Sequence, residues 1–307
     1  MYAAPPEVTA EIFTRLPDEL AGDPSTSPWA KIQHPGGSLR AFLEGPSFDR
    51  DCNLYVVDIA FGRVFRVSPD GVFTVVADYD GEPNGLKLHR DGRIFIADHK
   101  NGILNLDPNT GDVTPFIDRP HLERFMGTND LHFNMNGDLY FTDQGQSGLQ
   151  DARGRLYRLS ADDNRLEAIL DNVPSPNGLV PTLDESQILL AVTRANSVWR
   201  VRFMPDGKTV AKTGNFIQLS GGLGGPDGLA MDDQGNLIVC HVGLGTVWMF
   251  SPLGEPLLRI RSPIGLTTTN CAFGGPERKT LFITESSTAT ILKVEMPNPG
   301  APMFGLS

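Results

Sequence analysis

Short runs of β-branched and aromatic residues recur along the chain, separated by turns rich in Asp, Asn and Gly. Leu54 to Val57, Ile94 to Ala97 and Leu139 to Thr142 are examples, and composition of this kind predicts strands. The runs belong to a larger period. EGPSFDRDCNLYVVD, NGLKLHRDGRIFIAD, NDLHFNMNGDLYFTD, NGLVPTLDESQILLAV, DGLAMDDQGNLIVCH and NCAFGGPERKTLFITE align, with anchors at Glu44, Asn84, Asn129, Asn177, Asp227 and Asn270. The spacings of 40, 45, 48, 50 and 43 residues suit a propeller blade. Each copy holds two strands after its anchor, then a third such as 64–69, 155–160 or 246–252, and a fourth such as 73–78 or 166–171. The expectation is an all-β, six-bladed propeller with four antiparallel strands per blade.

The sixth copy lacks a fourth strand, because only NPGAPMFGLS follows Pro297. Residues 8–16, VTAEIFTRL, form a strand with no blade of their own. Inserted into the sixth blade they would close the ring and cover sheet edges that otherwise invite aggregation. Residues 17–40 read as a polar loop, residues 41–297 as the six repeats, and the whole of 1–307 as one domain, since no linker interrupts the period.

Composition narrows the function. The formal charge of −11 and the pI of about 5.0 argue against nucleic acid, whose phosphates require a basic surface. No apolar run reaches the roughly 18 residues of a membrane span, and MYAAPPEV does not resemble a leader. Cys52, Cys240 and Cys271 suggest neither a disulfide framework nor a zinc knuckle, so a soluble cytoplasmic protein is expected. Glycine (33) and proline (24) together approach a fifth of the chain, which leaves little room for long helices.

Antiparallel pairing places the start of each first strand beside the end of the second, so the six anchors ring one mouth of the channel. Asn or Asp before Gly is ordinarily a turn former. Six in register, one of them a glutamate in EGP, exceed that role. Carboxylates and carboxamides converging on an axis are costly unless something positive lies among them. Oxygen donors without thiolate describe a hard divalent cation, calcium first, with magnesium, manganese, zinc or iron behind it.

EGPSFDRDCNLYVVD, SPNGLVPTLDE, GPDGLAMDDQGNLIV and TTTNCAFGGPERKTLFITE resemble motifs of the gluconolactonase and regucalcin (senescence marker protein) family of six-bladed lactone hydrolases. The resemblance implies that Glu44, Asn177 and Asp227 bind one metal ion, with Asn129 as a fourth ligand or substrate contact. It also extends to squid-type phosphotriesterases. Family members acting on sugar lactones often carry an arginine two residues before the position of Asn129. Here Gly127 follows Met126, which leaves the identity of the lactone open to a less polar or bulkier ring.

A metal-polarised carbonyl attacked by water needs no covalent intermediate, and no GxSxG elbow is present. Asp227 is the candidate to take the water proton. The ends of the second strands add Asp98, His99, Asp143, Gln144, His241 and Glu285 to the expected wall. Of these, His99, Gln144 and His241, with Met126 and Asn129, are the candidate substrate contacts. Trp199 and Trp248 are expected between blades, and Trp29 near the mouth. The expected activity is opening of a small lactone such as an aldonolactone. A phosphotriesterase-like hydrolase and a non-catalytic calcium-binding propeller are the alternatives, and the sequence leaves the oligomeric state open.

Overall fold

The structure is a computed structural model that describes residues 3–306. Six sheets stand in a ring. Their inner strands are Leu43–Phe48, Pro83–Leu88, Thr128–Phe133, Pro176–Pro181, Pro226–Met231 and Thr268–Gly274. Each touches the inner strand of the next blade, the sixth returning to the first, so the ring closes about an axis. Blade one continues outward through Leu54–Asp58, Arg63–Val67 and Phe73–Asp78, and the other blades repeat this meander.

The ring closes as expected, with one refinement. Glu11–Arg15 pairs antiparallel with Thr290–Glu295 and completes blade six. Glu7–Thr9 does not join it, but pairs parallel with Pro256–Arg261 as a fifth strand of blade five. Ala10, buried between the two segments, donates its N–H to Arg261 O at 2.9 Å and marks the crossing. One segment thereby covers two outer edges.

Residues 17–40 are not all loop. Pro28–Gln33 forms a short α-helix, because Ser27 Oγ accepts from Ala30 N at 3.0 Å and Pro28 occupies the first turn. Trp29 packs on Phe42 and His34, beside Ala60 and Phe61. Among the described residues no helix is long and apolar enough to cross a membrane.

The core consists of wedges between neighbouring blades. Val56, Phe65 and Phe282 fill the wedge between blades six and one, and Val239, Phe250 and Ala191 that between blades four and five. Full burial of each large side chain contributes roughly 1.5–3 kcal/mol. Trp199 and Trp248 pack against such wedges. The C-terminal segment crosses the base of the ring. Ala301 N donates to Met231 O at 2.9 Å, and Phe304 stacks on Phe133 at 5.3 Å.

Candidate active site

Strand pairing sorts the inner strands into tiers. The second strands end at Asp58, Asp98, Asp143, Val192, His241 and Glu285, which pair with Leu43, Pro83, Thr128, Pro176, Pro226 and Thr268. One residue further along lie Glu44, Asn84, Asn129, Asn177, Asp227 and Thr269. The sixth anchor is therefore Thr269, and Asn270 is one position out of register with the other five. Thr269 Oγ1 is bound to Leu43 O at 3.1 Å and helps join blade six to blade one.

The next tier reads Gly45, Gly85, Asp130, Gly178, Gly228 and Asn270. A register shift at this level interrupts side-chain alternation in each inner strand. Two of the glycines make room for the only two side chains in the tier. A Cβ on Gly85 would lie 2.8 Å from Asp130 Oδ1, and one on Gly228 would collide with the Asn270 amide. Asn270 Nδ2 donates to Asp130 Oδ2 at 3.4 Å. Blades three and six face each other in a ring of six, so this bond spans the axis.

Ser47, Lys87, His132, Val180, Ala230 and Ala272 form a third tier. They line a cavity of about 130 Å³ at the far end, whose floor is the C-terminal segment from Ala301 to Leu306.

Glu44, Asn129, Asp130, Asn177, Asp227 and Asn270 are all buried. Burial, reinforced by the negative charge of Asp227, raises the Glu44 carboxyl well above the usual range. Burial and the charge of Asp130 push Asp227 up to about 8, against a hydrogen bond from Asn177. Burial also raises Asp130, and Lys87 opposes the shift. Asn129 Nδ2 donates to Gln144 Oε1 at 3.3 Å, and Gln144 Nε2 donates to Ser175 Oγ at 3.0 Å. Asn129 Oδ1 is buried without a hydrogen-bond partner among the described residues.

These donors suit a hard cation. Three buried carboxylates repel one another, an amide oxygen stands unpaired, and every donor is oxygen. Among the described residues no group of three or more His, Cys, Asp or Glu forms a metal site by itself, so an ion here would also depend on amide oxygens.

The second-strand carboxylates do different work from the wall expected of them. Phe42 N donates to Asp58 Oδ1 at 2.9 Å, Glu82 N to Asp98 Oδ2 at 3.0 Å, Gly127 N to Asp143 Oδ1 at 2.8 Å and Thr267 N to Glu285 Oε1 at 3.0 Å. Each carboxylate fixes the residue that leads into the inner strand of its own blade, a repeated folding device. His241 takes the same position in blade five. It is fully buried, accepts from Trp248 Nε1 at 3.3 Å, and has Gly222 packed against Nε2. Burial lowers its pKa.

Burial lowers His99 to about 4, so its ring is neutral at pH 7. A Cβ on Gly127 would lie 2.6 Å from His99 Nε2, and Gly127 has φ +146°, so no side chain fits there. Met126 is half-buried beside Gly145. Asp130, which no motif in the sequence marks, enters the centre because the register shift places two successive residues of its strand there.

The fold is a six-bladed propeller whose buried carboxylates and amides meet on the axis. Residues 42–287 match the SMP-30/Gluconolactonase/LRE-like region, and the chain belongs to that family. It is 30% identical over 248 residues to the lactonase drp35 of Staphylococcus haemolyticus, covering 78% of this chain and 74% of that protein. Among solved structures, a gluconolactonase of Xanthomonas campestris superposes with a TM-score of 0.74 at 24% identity, covering 94% of this chain and 95% of that one. A calcium-binding protein, regucalcin, of Agrobacterium tumefaciens superposes at 0.75 with 19% identity, covering 99% and 98%. At those identities the two structures establish the fold alone.

Proposed function

We propose that this protein hydrolyses a small lactone at the anchor mouth, with one divalent cation held by Glu44, Asn129, Asn177 and Asp227. Calcium is the first choice, and zinc, manganese, magnesium or iron are alternatives. The observation that supports the reading most is the meeting of Glu44 and Asp227 with the unpaired Asn129 Oδ1, in a chain of this family.

When bound, the ion would polarise the lactone carbonyl and stabilise the oxyanion that forms on attack. Asp227, held in its ionised form when it binds the ion, takes the proton of the attacking water. The bond from the acyl carbon to the ring oxygen then breaks, and that oxygen takes the proton from Asp227 and leaves as the alcohol of a hydroxy acid. Gln144 orients the Asn129 amide. His99 gives the wall an uncharged face, and the closed space at Gly127 leaves no room for a cationic side chain, which favours a less polar ring than an aldonolactone. Cys240 and Cys271, buried and free, support a cytoplasmic setting.

The test is a panel of lactones assayed with chelator-stripped protein, with and without added divalent ion. Hydrolysis of at least one lactone that needs the ion is expected. Equal turnover in chelator would contradict the metal assignment, and a preference for phosphotriesters would contradict the substrate class.

A further inference from the structure

We propose that Lys87 is an internal counter-charge that matches the axial site to a divalent ion; this rests on the metal reading above. The centre holds three carboxylates, Glu44, Asp130 and Asp227, one more than a divalent ion neutralises. Lys87 supplies the missing positive charge. It lies two residues beyond Gly85 on the blade-two strand that packs against Asp130, in the tier directly below that carboxylate. Its side chain lines the far cavity, and its Nζ donates to Leu86 O at 3.2 Å. The other inner-facing residues of its tier bring no charge that could take its place. Ser47, Val180, Ala230 and Ala272 are uncharged, and burial keeps His132 neutral. Arg194 also acts on Asp227 but stands exposed at the surface, where solvent screens it.

A fixed positive charge beside a cation site weakens every cation, and weakens a trivalent ion more than a divalent one, because Coulomb energy scales with ion charge. Lys87 therefore sets selectivity without touching the ion. The experiment is calorimetric titration of chelator-stripped protein with calcium, followed by competition with terbium, at one pH for parent, K87M and K87R. K87M should bind calcium on the order of five- to tenfold more tightly and widen the terbium-over-calcium preference about two- to threefold. K87R should stay with the parent. Melting in chelator shows whether K87M is folded; K87Q is a second neutral variant that should behave like K87M. An unchanged preference in both neutral variants, or a shift in K87R as large as theirs, overturns the role of Lys87 while leaving the metal site standing. A parent that takes up no ion overturns both.

Discussion

Gln144 holds Asn129 by its amide nitrogen, Nδ2 to Oε1 at 3.3 Å, and so leaves Asn129 Oδ1 as the unpaired acceptor in a buried centre. Ser175 fixes Gln144 in turn. The chain thus spends two side chains on the orientation of one amide. Gln144→Ala should lower kcat/KM about 10- to 100-fold, as loss of an outer partner of a metal centre commonly does. The melting temperature in chelator should change little. An unchanged kcat/KM would remove Gln144 from the site.

The carboxylates predict an inverted pH dependence. Folded pKa values of Glu44 and Asp227 lie above their unfolded values, Asp227 at about 8, so the folded state binds the extra protons. Ion-free protein should therefore gain stability from this cluster at low pH and lose it as pH rises from about 4 to about 8, by on the order of several kcal/mol. Chemical unfolding in chelator at pH 5 and pH 8 measures the slope. Asp227→Asn should flatten it, and should weaken ion binding as well.

Asp58 is a structural carboxylate. Its Oδ1 accepts from Phe42 N at 2.9 Å and its Oδ2 from Arg63 Nη2 at 2.6 Å, while Arg63 Nη1 donates to Leu20 O at 2.7 Å. Asp58→Ala strands a mostly buried guanidinium and should cost about 3–5 kcal/mol in urea unfolding. Activity per folded molecule should persist, which separates this ring of acids from the anchors.

Gly127 closes one side of the mouth. Gly127→Arg should not create a polar subsite, because the new side chain meets His99 and the φ of +146° strains any L-residue. A loss of about 2 kcal/mol or more of stability is expected, with no gain in kcat/KM on an aldonolactone. A gain on that substrate would show that the wall is more plastic than it stands here.

The blades were legible because their signal repeats. Second strands such as LYVVD, IFIAD and LYFTD carry the same apolar run with the same terminal acid, and the sheets follow those runs closely. The terminal acids look like wall residues in the sequence because pairing brings them near the mouth, and only the structure shows that their oxygens accept from backbone N–H groups. Asn270 looks like an anchor in the sequence because TTTNC offers an amide one residue late, and a bulge in the strand hides that slip from any count of spacing. The same kind of bulge concealed Asp130. The N-terminal strand read as one piece because nothing in VTAEIFTRL announces the crossing at Ala10. The helix at Pro28–Gln33 carries a signal, serine before proline, in a segment whose polarity otherwise suggests loop.

The central claim is that an ion sits on the axis among Glu44, Asn129, Asn177 and Asp227. Crystals grown with manganese and measured at an anomalous wavelength test it most directly. The account predicts one strong peak on the axis, about 2.0–2.6 Å from oxygens of those four side chains. An axis without a peak at saturating manganese, in a protein that still opens lactones in chelator, would contradict it.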